Sequence, residues 1–364
     1  MRIRTLRPEQ HTKWMDVLEQ SFQHDFYHLP SYHALAEERG EGEAHLFLYE
    51  EGDCFIAVPL LLRSMESVPC HAHSGEGRWD ATSVYGYAGP IASRRDMPAS
   101  ILRSFQAALR ETLLERHIVT VFSRLHPLIP QWGLLAGLGD CMRMGLTVSI
   151  DLTLPTELQR ARYRKNHKRD INKLHRLGVA CVRDQHRKYM SEFIDIYYET
   201  MYRTGASEAY FFEPRYFEQL MAALGSGIQL FVCLLGEKVL CAGLFTLSDG
   251  IVQYHLGGTR DDFLNFSPMK MLFDTVRLWA NERGARMFHL GGGVGSQEDS
   301  LLHFKAGFSD RRHEFVVWRW LLLPDIDRQL RKEKERWRGQ CNPSFTDSRY
   351  FPAYRCPDCP YITQ

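Results

Sequence analysis

Residues 251–257, Ile-Val-Gln-Tyr-His-Leu-Gly, form an apolar run of strand length. A helical pattern follows over residues 268–284, with Met269, Leu272 and Val276 on one stripe, and residues 286–290 form the next short apolar run. Upstream, residues 229–235 and 239–247 are two further strand-like runs separated by Gly236-Glu237-Lys238, a hairpin turn. The order strand, strand, strand, helix, strand predicts a mixed α+β unit.

The first half of the chain has the same order of elements. Residues 45–49 and 54–62 form a hairpin around the turn 50–53, and a helix predicted over 97–116 precedes a buried strand at 117–123. A twofold repeat is the simplest interpretation. We therefore expect an N-terminal domain over 1–150, a C-terminal domain over 151–325, and a basic helix and tail over 326–364. A basic helix near 155–177 should connect the domains, with a cleft between them.

Composition excludes several classes of protein. The 364 residues include 12% aromatics and carry 45 basic against 44 acidic side chains, a net charge of +1. Neither a disordered chain nor a globally basic nucleic-acid coat fits these values. No uncharged apolar run reaches about 18 residues, and the N-terminus lacks the apolar segment of a signal peptide. With nine scattered cysteines, we expect a cytoplasmic protein with reduced thiols and no membrane insertion.

Several local motifs resemble those of one family when taken in order. They are Tyr85-Gly86-Tyr87-Ala88-Gly89-Pro90, the basic run 163–171, Asn265-Phe266-Ser267-Pro268, Leu290-Gly291-Gly292-Gly293 and Phe304-Lys305-Ala306-Gly307-Phe308. Together they resemble the FemABX peptidyltransferases and the related BioF2-like acyltransferases (Acetyltransf_6). The resemblance spans nearly the whole chain, and it implies two tandem GNAT-like domains, the fold of acyl-CoA N-acyltransferases.

The resemblance also implies a site where two strands of the sheet separate, here near 253–258 and 287–290. Lys305 is the first candidate for chemistry, since a cation there would stabilise an oxyanion or hold a donor phosphate. We expect it to be an exposed lysine beside an apolar face made by Phe304 and Phe308; the alternative is an ordinary surface lysine. His255 is the best-placed candidate for a general base, and it is equally well explained as a core histidine.

Donor binding is predicted at Asn265, Ser267, Gly257 and Gly258, with Ser267 capping the long helix and Pro268 at its first position. GNAT proteins that use coenzyme A usually carry a Gln/Arg-x-x-Gly-x-Gly/Ala loop at this point. Residues 260–265, Arg-Asp-Asp-Phe-Leu-Asn, have no glycine, and two carboxylates would repel a pyrophosphate. We therefore expect no tightly bound cofactor and favour aminoacyl-tRNA over acyl-CoA as donor.

Acceptor binding is predicted at Tyr85 and Tyr87, at Arg164 and Lys165, and at Tyr210. The basic residues between 160 and 176 do not form one stripe on a single helix, and that helix has little apolar face. Its function is therefore either a solvated bridge between domains or a surface that contacts the phosphates of a nucleotide-linked acceptor or an RNA acceptor stem.

Three other motifs do not indicate a site. The glycines at 291–295 do not fit the dinucleotide pattern G-x-G-x-x-G, because residue 296 is Ser. His71 and His73 match no common zinc spacing, so no metal is predicted. Cys356-Pro357-Asp358-Cys359 is a lone C-x-x-C in a tail expected to be disordered, with an intermolecular zinc clip or redox pair as the alternative.

The leading hypothesis is an amide-forming acyltransferase. The resemblance implies transfer of an aminoacyl group from aminoacyl-tRNA to an amine on a small peptide or nucleotide-linked acceptor, as in cell-wall biogenesis. A second hypothesis keeps the reaction but uses coenzyme A or a carrier protein as donor, in cell-envelope or polysaccharide biosynthesis. A third is a non-catalytic binding module, favoured if Lys305 and the start of the long helix are buried and filled by neighbouring groups.

Overall fold

The computed structural model describes residues 3–66, 68, 75–341 and 350–356. The chain divides into two units: unit 1 comprises residues 1–144 and 315–364, and unit 2 comprises residues 145–314. The sequence-based division instead places boundaries at 150 and 325. The difference arises because the last strand of the chain pairs in unit 1, an exchange that local sequence patterns do not reveal.

Ten helices and thirteen strands lie within the described residues. The strands are β1 (Arg4–Leu6), β2 (Glu43–Glu51), β3 (Cys54–Ser64), β4 (Trp79–Thr82), β5 (Ile91–Ala92), β6 (Ile118–Arg124), β7 (Asp140–Asp151), β8 (Ala180–Asp184), β9 (Ile228–Leu235), β10 (Lys238–Ser248), β11 (Ile251–Thr259), β12 (Met287–Gly292) and β13 (Arg312–Leu321). The helices are α1 (His11–Glu19), α2 (Pro30–Glu38), α3 (Ala99–Glu115), α4 (Thr156–Ala161), α5 (Lys165–Arg176), α6 (Met190–Thr204), α7 (Pro214–Leu224), α8 (Met269–Glu282), α9 (Ser300–Lys305) and α10 (Pro324–Cys341).

The sheet of unit 1 has the strand order β1-β2-β3-β4-β6-β13, with β5 paired to β3. All of these pairings are antiparallel except that between β4 and β6. Helix α3 precedes β6 and buries Phe105, Leu109 and Leu113 in a core shared with Trp318.

The sheet of unit 2 has the order β7-β12-β11-β10-β9-β8. Here too a single pairing, between β11 and β12, is parallel, and the others are antiparallel. Helix α8 precedes β12 and packs Phe273 against Phe288 and Phe308 in the core of this unit.

Each unit therefore has a central parallel pair, a helix leading into its second strand, and one more antiparallel strand beside it. In unit 1 this added strand is β13, from the end of the chain, and in unit 2 it is β7. The predicted α+β class, the two hairpins and the twofold repeat are confirmed.

The prediction of one basic helix over 155–177, with little apolar face, is wrong. The helix breaks into α4 and α5 because Arg164 adopts an extended backbone (ψ 149°) beside the buried Tyr163. In α5 the side chains of His167, Ile171 and Leu174 lie buried on one face. The exposed residues on the opposite face include Lys165, Arg169, Lys173 and Arg176, which follow the helical repeat and do form one basic stripe.

Of the last nine residues, for which the sequence predicts a disordered tail, the structure describes only Cys356, which is buried. The segment before it, 350–355, is also ordered against unit 1. Tyr354 is fully buried and its hydroxyl lies 2.7 Å from Thr120 Oγ1. Arg355 donates to Asp80 Oδ2 (2.8 Å), and Asp80 also accepts from Arg63. The buried carboxylate and the aromatic ring dock this segment on unit 1. Cys359, like His71 and His73, lies outside the described residues.

No helix within the described ranges is both long enough and apolar enough to cross a bilayer.

Candidate functional site

Strands β11 and β12 separate in the middle of the unit 2 sheet. They pair in register only at Ile251–Met287, Val252–Phe288 and Gln253–His289. Beyond this point β11 continues to Thr259 against β10, while β12 continues to Gly292 against β7. Past Gln253 and His289, the facing edges of the two strands are therefore not paired with each other, as the family resemblance implies.

Lys305 lies beside this opening, at the end of α9. Its Nζ donates to the carbonyl oxygen of Gly292, the last residue of β12, at 2.6 Å. It also lies 5.7 Å from the centre of the Tyr254 ring, on the other diverging strand. Lys305 therefore contacts both strands where they part.

The expectation that Lys305 is exposed is wrong, since only 6% of the residue is accessible. Burial lowers its pKa from 10.5 to about 8, against the opposing effect of Asp299. Within the described residues its only hydrogen bond is to the neutral Gly292 carbonyl, and it has no ion pair. The group is therefore a buried cation with no carboxylate in direct contact, which suits it to meet a charge that develops during a reaction.

Local hydrogen bonds and core packing hold α9 in place. Asp299 is the N-cap, and its carboxylate accepts from the backbone N–H groups of Leu302 (2.8 Å) and Val294 (2.9 Å). Phe308 is fully buried, and a Cβ atom at Gly307 would overlap the His167 ring of α5. Gly307 thus permits close packing of this segment against α5.

His255 lies at an irregularity in β11, where the pairing with β10 shifts by one residue. Burial lowers its pKa to about 3. A base this weak has little driving force to remove a proton near neutral pH. His255 does lie beside the opening, but its low pKa argues against a role as general base, and that role stays a prediction.

Sequence reasoning missed the pair Gln253 and His289. These are the last two residues in register before the strands separate. Both are almost fully buried, and His289 Nδ1 lies 2.6 Å from Gln253 Oε1. Since an amide oxygen only accepts, Nδ1 carries the proton, so the pair fixes the ring at the apex of the opening. Two polar residues in neighbouring apolar strands were the available signal.

The donor loop folds differently from the expected cap. Residues Asp261–Phe266 form a 3₁₀ helix, and Ser267 follows in the left-handed region at φ 52°. The N-cap position of α8 is Pro268, and the Ser267 side chain makes no cap hydrogen bond. The predicted side-chain cap is wrong, because the backbone turns sharply between the two helices and takes Ser267 out of the capping geometry.

Backbone carbonyls of the same segment use the N–H groups around the start of α8. The N–H of Lys270 donates to Ser267 O (3.1 Å), and those of Met271 and Leu272 donate to Pro268 O. Proline has no N–H to offer. The start of α8 thus presents few of the donors with which a helix N-terminus holds a phosphate.

Charged side chains around this loop are paired internally. Asp261 pairs with Arg203, and Arg260 pairs with Glu199 at 2.8 Å. Lys270, buried in the first turn of α8, pairs with Asp170 at 2.6 Å. Asn265 is exposed. The loop therefore offers neither a glycine cradle nor an unpaired cation to a pyrophosphate.

The glycines of β11 have a packing role. A Cβ atom at Gly258 would overlap the Thr200 hydroxyl and approach the Ile196 carbonyl of α6 to 2.9 Å. At Gly257 it would lie 2.7 Å from the Ala242 carbonyl of β10. Glycine is thus required here for strand and helix packing, and donor binding by these residues remains a prediction.

The candidate acceptor residues fall in both units. In unit 2, Arg164 bonds to His303, two residues before Lys305, and Lys165 is exposed at the start of α5. Tyr210 is 40% exposed beyond α6, where its carbonyl accepts from the Tyr197 hydroxyl.

In unit 1, the Tyr85 carbonyl accepts from the Tyr32 hydroxyl (2.9 Å), and the Tyr87 ring packs edge-on to Tyr27. The rings of Tyr85 and Tyr87 are both partly exposed. Their role in acceptor binding stays a prediction.

Unit 2 thus brings Lys305, Tyr254 beside His255, and Arg164 together around α9, with Asn265 and Ser267 at the start of α8. The described ranges contain no group of three or more His, Cys, Asp or Glu side chains able to hold a metal ion.

Comparison with family models matches residues 161–305 to the acetyltransferase (GNAT) domain Acetyltransf_6. The matched segment runs from the end of α4 to Lys305 and contains the opening between β11 and β12. A comparison with curated proteins finds no match. The domain match shows that the chain is an acyltransferase.

Solved structures share the fold at low identity. FemX superposes with a TM-score of 0.69 at 12% identity, covering 90% of this chain and 99% of its own. The C-terminal domain of a putative lysylphosphatidylglycerol synthetase from Agrobacterium fabrum gives 0.53 at 15% identity, covering 88% and 93%. L-PGS from Bacillus licheniformis gives 0.52 at 13%, covering 85% and 91%. The FemABX-like resemblance and the tandem GNAT fold are confirmed.

Proposed function

We propose that this chain, an acyltransferase with a GNAT domain in its second unit, transfers an aminoacyl group from aminoacyl-tRNA to an amine of a peptide or nucleotide-linked acceptor. The observation that carries the proposal is the start of α8. Where a coenzyme A pyrophosphate would need free backbone N–H groups, those of Lys270 and Met271 are already bonded to the carbonyls of Ser267 and Pro268.

The chemistry needs no covalent enzyme intermediate. The acceptor amine attacks the ester carbonyl of the donor, a C–N bond forms, and the carbonyl oxygen becomes an oxyanion. The C–O bond to the ribose then breaks, the ribose hydroxyl takes up a proton, and the attacking nitrogen loses one. Held in register, the two reactants gain most of the rate from proximity and orientation.

Lys305 supplies the charge for the oxyanion. At a pKa of about 8 its ammonium form predominates at pH 7, and it already lies beside the Gly292 carbonyl and the Tyr254 ring. A preorganised cation in a buried site stabilises a developing anion without the cost of reorienting water. Backbone N–H groups on the open edge of β11 are the natural second donors.

The basic stripe of α5 supports an RNA-borne donor. Lys165, Arg169, Lys173 and Arg176 span eleven residue steps, or about 16 Å along the helix axis. Regularly spaced cations of this kind contact successive phosphates of a nucleic-acid strand without reading its sequence. The local stripe, rather than the net charge of +1, is the relevant property.

A second candidate is an N-acyltransferase that uses acyl-CoA or an acyl-carrier protein, and the acetyltransferase description of the matched domain favours it. Burial of Lys305 and the occupied N–H groups at the start of α8 both favour a non-catalytic module, whereas the match to an acetyltransferase domain favours an enzyme.

The experiment is a transfer assay with both donors in parallel. Purified protein is mixed with charged tRNA bearing radiolabelled amino acids, or with radiolabelled acetyl-coenzyme A, and with a panel of lysine-bearing peptides. Peptide labelling that depends on charged tRNA and is abolished by RNase supports the proposal. Labelling from acetyl-coenzyme A alone promotes the second candidate.

A further inference from the structure

Four arginines surround the segment of residues 303–309 that carries Lys305. Two of them are neutralised: Arg162 pairs with Asp310 at 3.4 Å, and Arg311 pairs with Asp151 at 2.6 Å. The other two, Arg164 and Arg312, have no carboxylate partner among the residues that the structure describes. This difference separates two arginines from an otherwise balanced surface.

Neutral acceptors on that same segment hold both unneutralised arginines. Arg164 donates to the His303 carbonyl (2.9 Å) and His303 Nε2 (2.6 Å), and its backbone N–H donates to Gly307 O (2.8 Å). Arg312 donates to Ser309 O (2.8 Å) and less closely to Arg311 O. These bonds involve Nη1 of each guanidinium, so its other N–H groups remain available.

The two guanidinium groups lie close enough to affect one another. The pKa of Arg312 is lowered, first by burial and then by the charge of Arg164, with Asp310 acting in the opposite direction. Two like charges held near each other with no carboxylate in contact cost free energy, and an anion bound by both removes that cost.

The start of α5 adds to the same imbalance. Arg164 is its N-cap, Lys165 and Lys168 lie in its first turn, and that turn has no acidic residue. Cations at the positive end of a helix are unfavourable. A sequence that breaks this local rule beside unpaired arginines is typical of a functional site.

We propose that Arg164 and Arg312 form a phosphate-binding site that anchors a nucleotide-borne substrate beside Lys305. Phosphate fits better than a carboxylate, because it offers three oxygens to two guanidinium forks and carries enough charge to neutralise both. The identity of the bound group as part of a substrate rests on the proposed function, but phosphate binding at the site can be tested without turnover.

The test measures binding of two probes by calorimetry at low salt: inorganic pyrophosphate and a short single-stranded oligoribonucleotide. Arg312→Gln is the principal variant, because Arg312 is exposed and bonds only to the nearby carbonyls of Ser309 and Arg311 within the described residues, so its loss should spare the fold. Arg164→Gln is the second variant. Arg162→Gln is the matched control, since it removes the same charge from a paired neighbour. A thermal melt verifies that each variant is folded.

We expect Arg312→Gln to weaken at least one probe by tenfold or more, Arg312→Lys to weaken it less, and Arg162→Gln to change it less than twofold. If the substitutions weaken pyrophosphate binding, the phosphate that the site holds belongs to a nucleotide diphosphate. If they weaken only oligoribonucleotide binding, it belongs to RNA. The site is refuted if Arg312→Gln weakens the binding of neither probe, or if Arg162→Gln weakens binding as much as Arg312→Gln.

The outcome is separable from that of the proposed function. Loss of probe binding in Arg312→Gln without any tRNA-dependent transfer by the native protein leaves the site standing and refutes the donor. Transfer from tRNA by the native protein, together with unchanged probe binding in the variants, supports the donor and refutes the site.

Discussion

The ammonium group of Lys305 donates a hydrogen bond to the carbonyl oxygen of Gly292 at 2.6 Å, at the place where β12 has parted from β11. Burial has lowered the pKa of this lysine to about 8. The lysine is thus held by a neutral acceptor next to an open strand edge. Such an arrangement costs stability, and we propose that it serves to meet a negative charge that develops on the substrate.

Lys305→Met tests the chemical role. Removal of one oxyanion donor costs about 2.7–4 kcal/mol, so turnover should fall by roughly 100- to 1000-fold. If Lys305 acts mainly in the transition state, donor affinity should change little, whereas a ground-state role would raise KM and spare kcat. Unchanged activity in a folded Lys305→Met protein would remove Lys305 from the site.

The pH dependence of kcat/KM distinguishes the charged from the neutral form of Lys305. With a pKa of about 8 in the free protein, an ammonium that stabilises an oxyanion is present below this pH and is lost above it. We expect a falling limb near pH 8 that is absent in Lys305→Arg. A rising limb at this pH, lost in the same variant, would instead make Lys305 a proton acceptor.

The same shift predicts an effect on stability. The folded-state pKa of about 8 lies below the ordinary 10.5, so the unfolded chain holds the proton more tightly and the folded state is penalised below pH 8. Lys305→Met should raise the free energy of unfolding at pH 7 by about 1–3 kcal/mol, after loss of the Gly292 bond. The gain should shrink as the pH rises from 8 to 10.5. Denaturant unfolding of the native protein and of Lys305→Met at pH 7 and at pH 10.5 measures this difference in the free energy of unfolding.

Phe308→Ala provides the structural contrast on the next turn of chain. Phe308 is fully buried against Phe273 and Phe304, and truncation of a core phenylalanine costs about 3–5 kcal/mol. Urea unfolding should show this loss. A destabilisation below about 1 kcal/mol would mean that the α9 region is not packed as described.

Coenzyme A affinity tests the donor loop. Because the start of α8 has few free N–H groups and its cations are paired, coenzyme A should bind with a dissociation constant of order millimolar, about −4 kcal/mol. Calorimetry measures this directly. Micromolar binding would overturn the donor assignment and favour acyl-CoA.

Local pattern predicted much of the fold. The turns at 50–53 and 236–238 predicted both hairpins, and the stripe of Leu272 and Val276 predicted α8 to within two residues at each end. Pattern could not predict that β13 pairs with β6, because strand exchange depends on contacts between residues nearly 200 positions apart. The break at Arg164 was missed for the same reason: the burial of Tyr163 is a tertiary effect.

The candidate site was only partly predictable. The resemblance pointed to Lys305 and to the opening beyond Gln253, both of which the structure places together. Burial of Lys305 was not foreseen, because lysine is rarely buried without a partner. The Gln253–His289 bond was not foreseen either, because predicting it requires the parallel register of β11 and β12. The lack of a carboxylate partner for Arg312 among the described residues could not be foreseen, because it depends on where the neighbouring carboxylates lie in the fold.

The measurement that tests the central claim most directly is the double-donor transfer assay with native protein and Lys305→Met. The account predicts amide formation from charged tRNA that RNase abolishes, that acetyl-coenzyme A does not replace, and that falls at least 100-fold in the variant. Equal transfer by the two proteins, or transfer from acetyl-coenzyme A but not from charged tRNA, would contradict it.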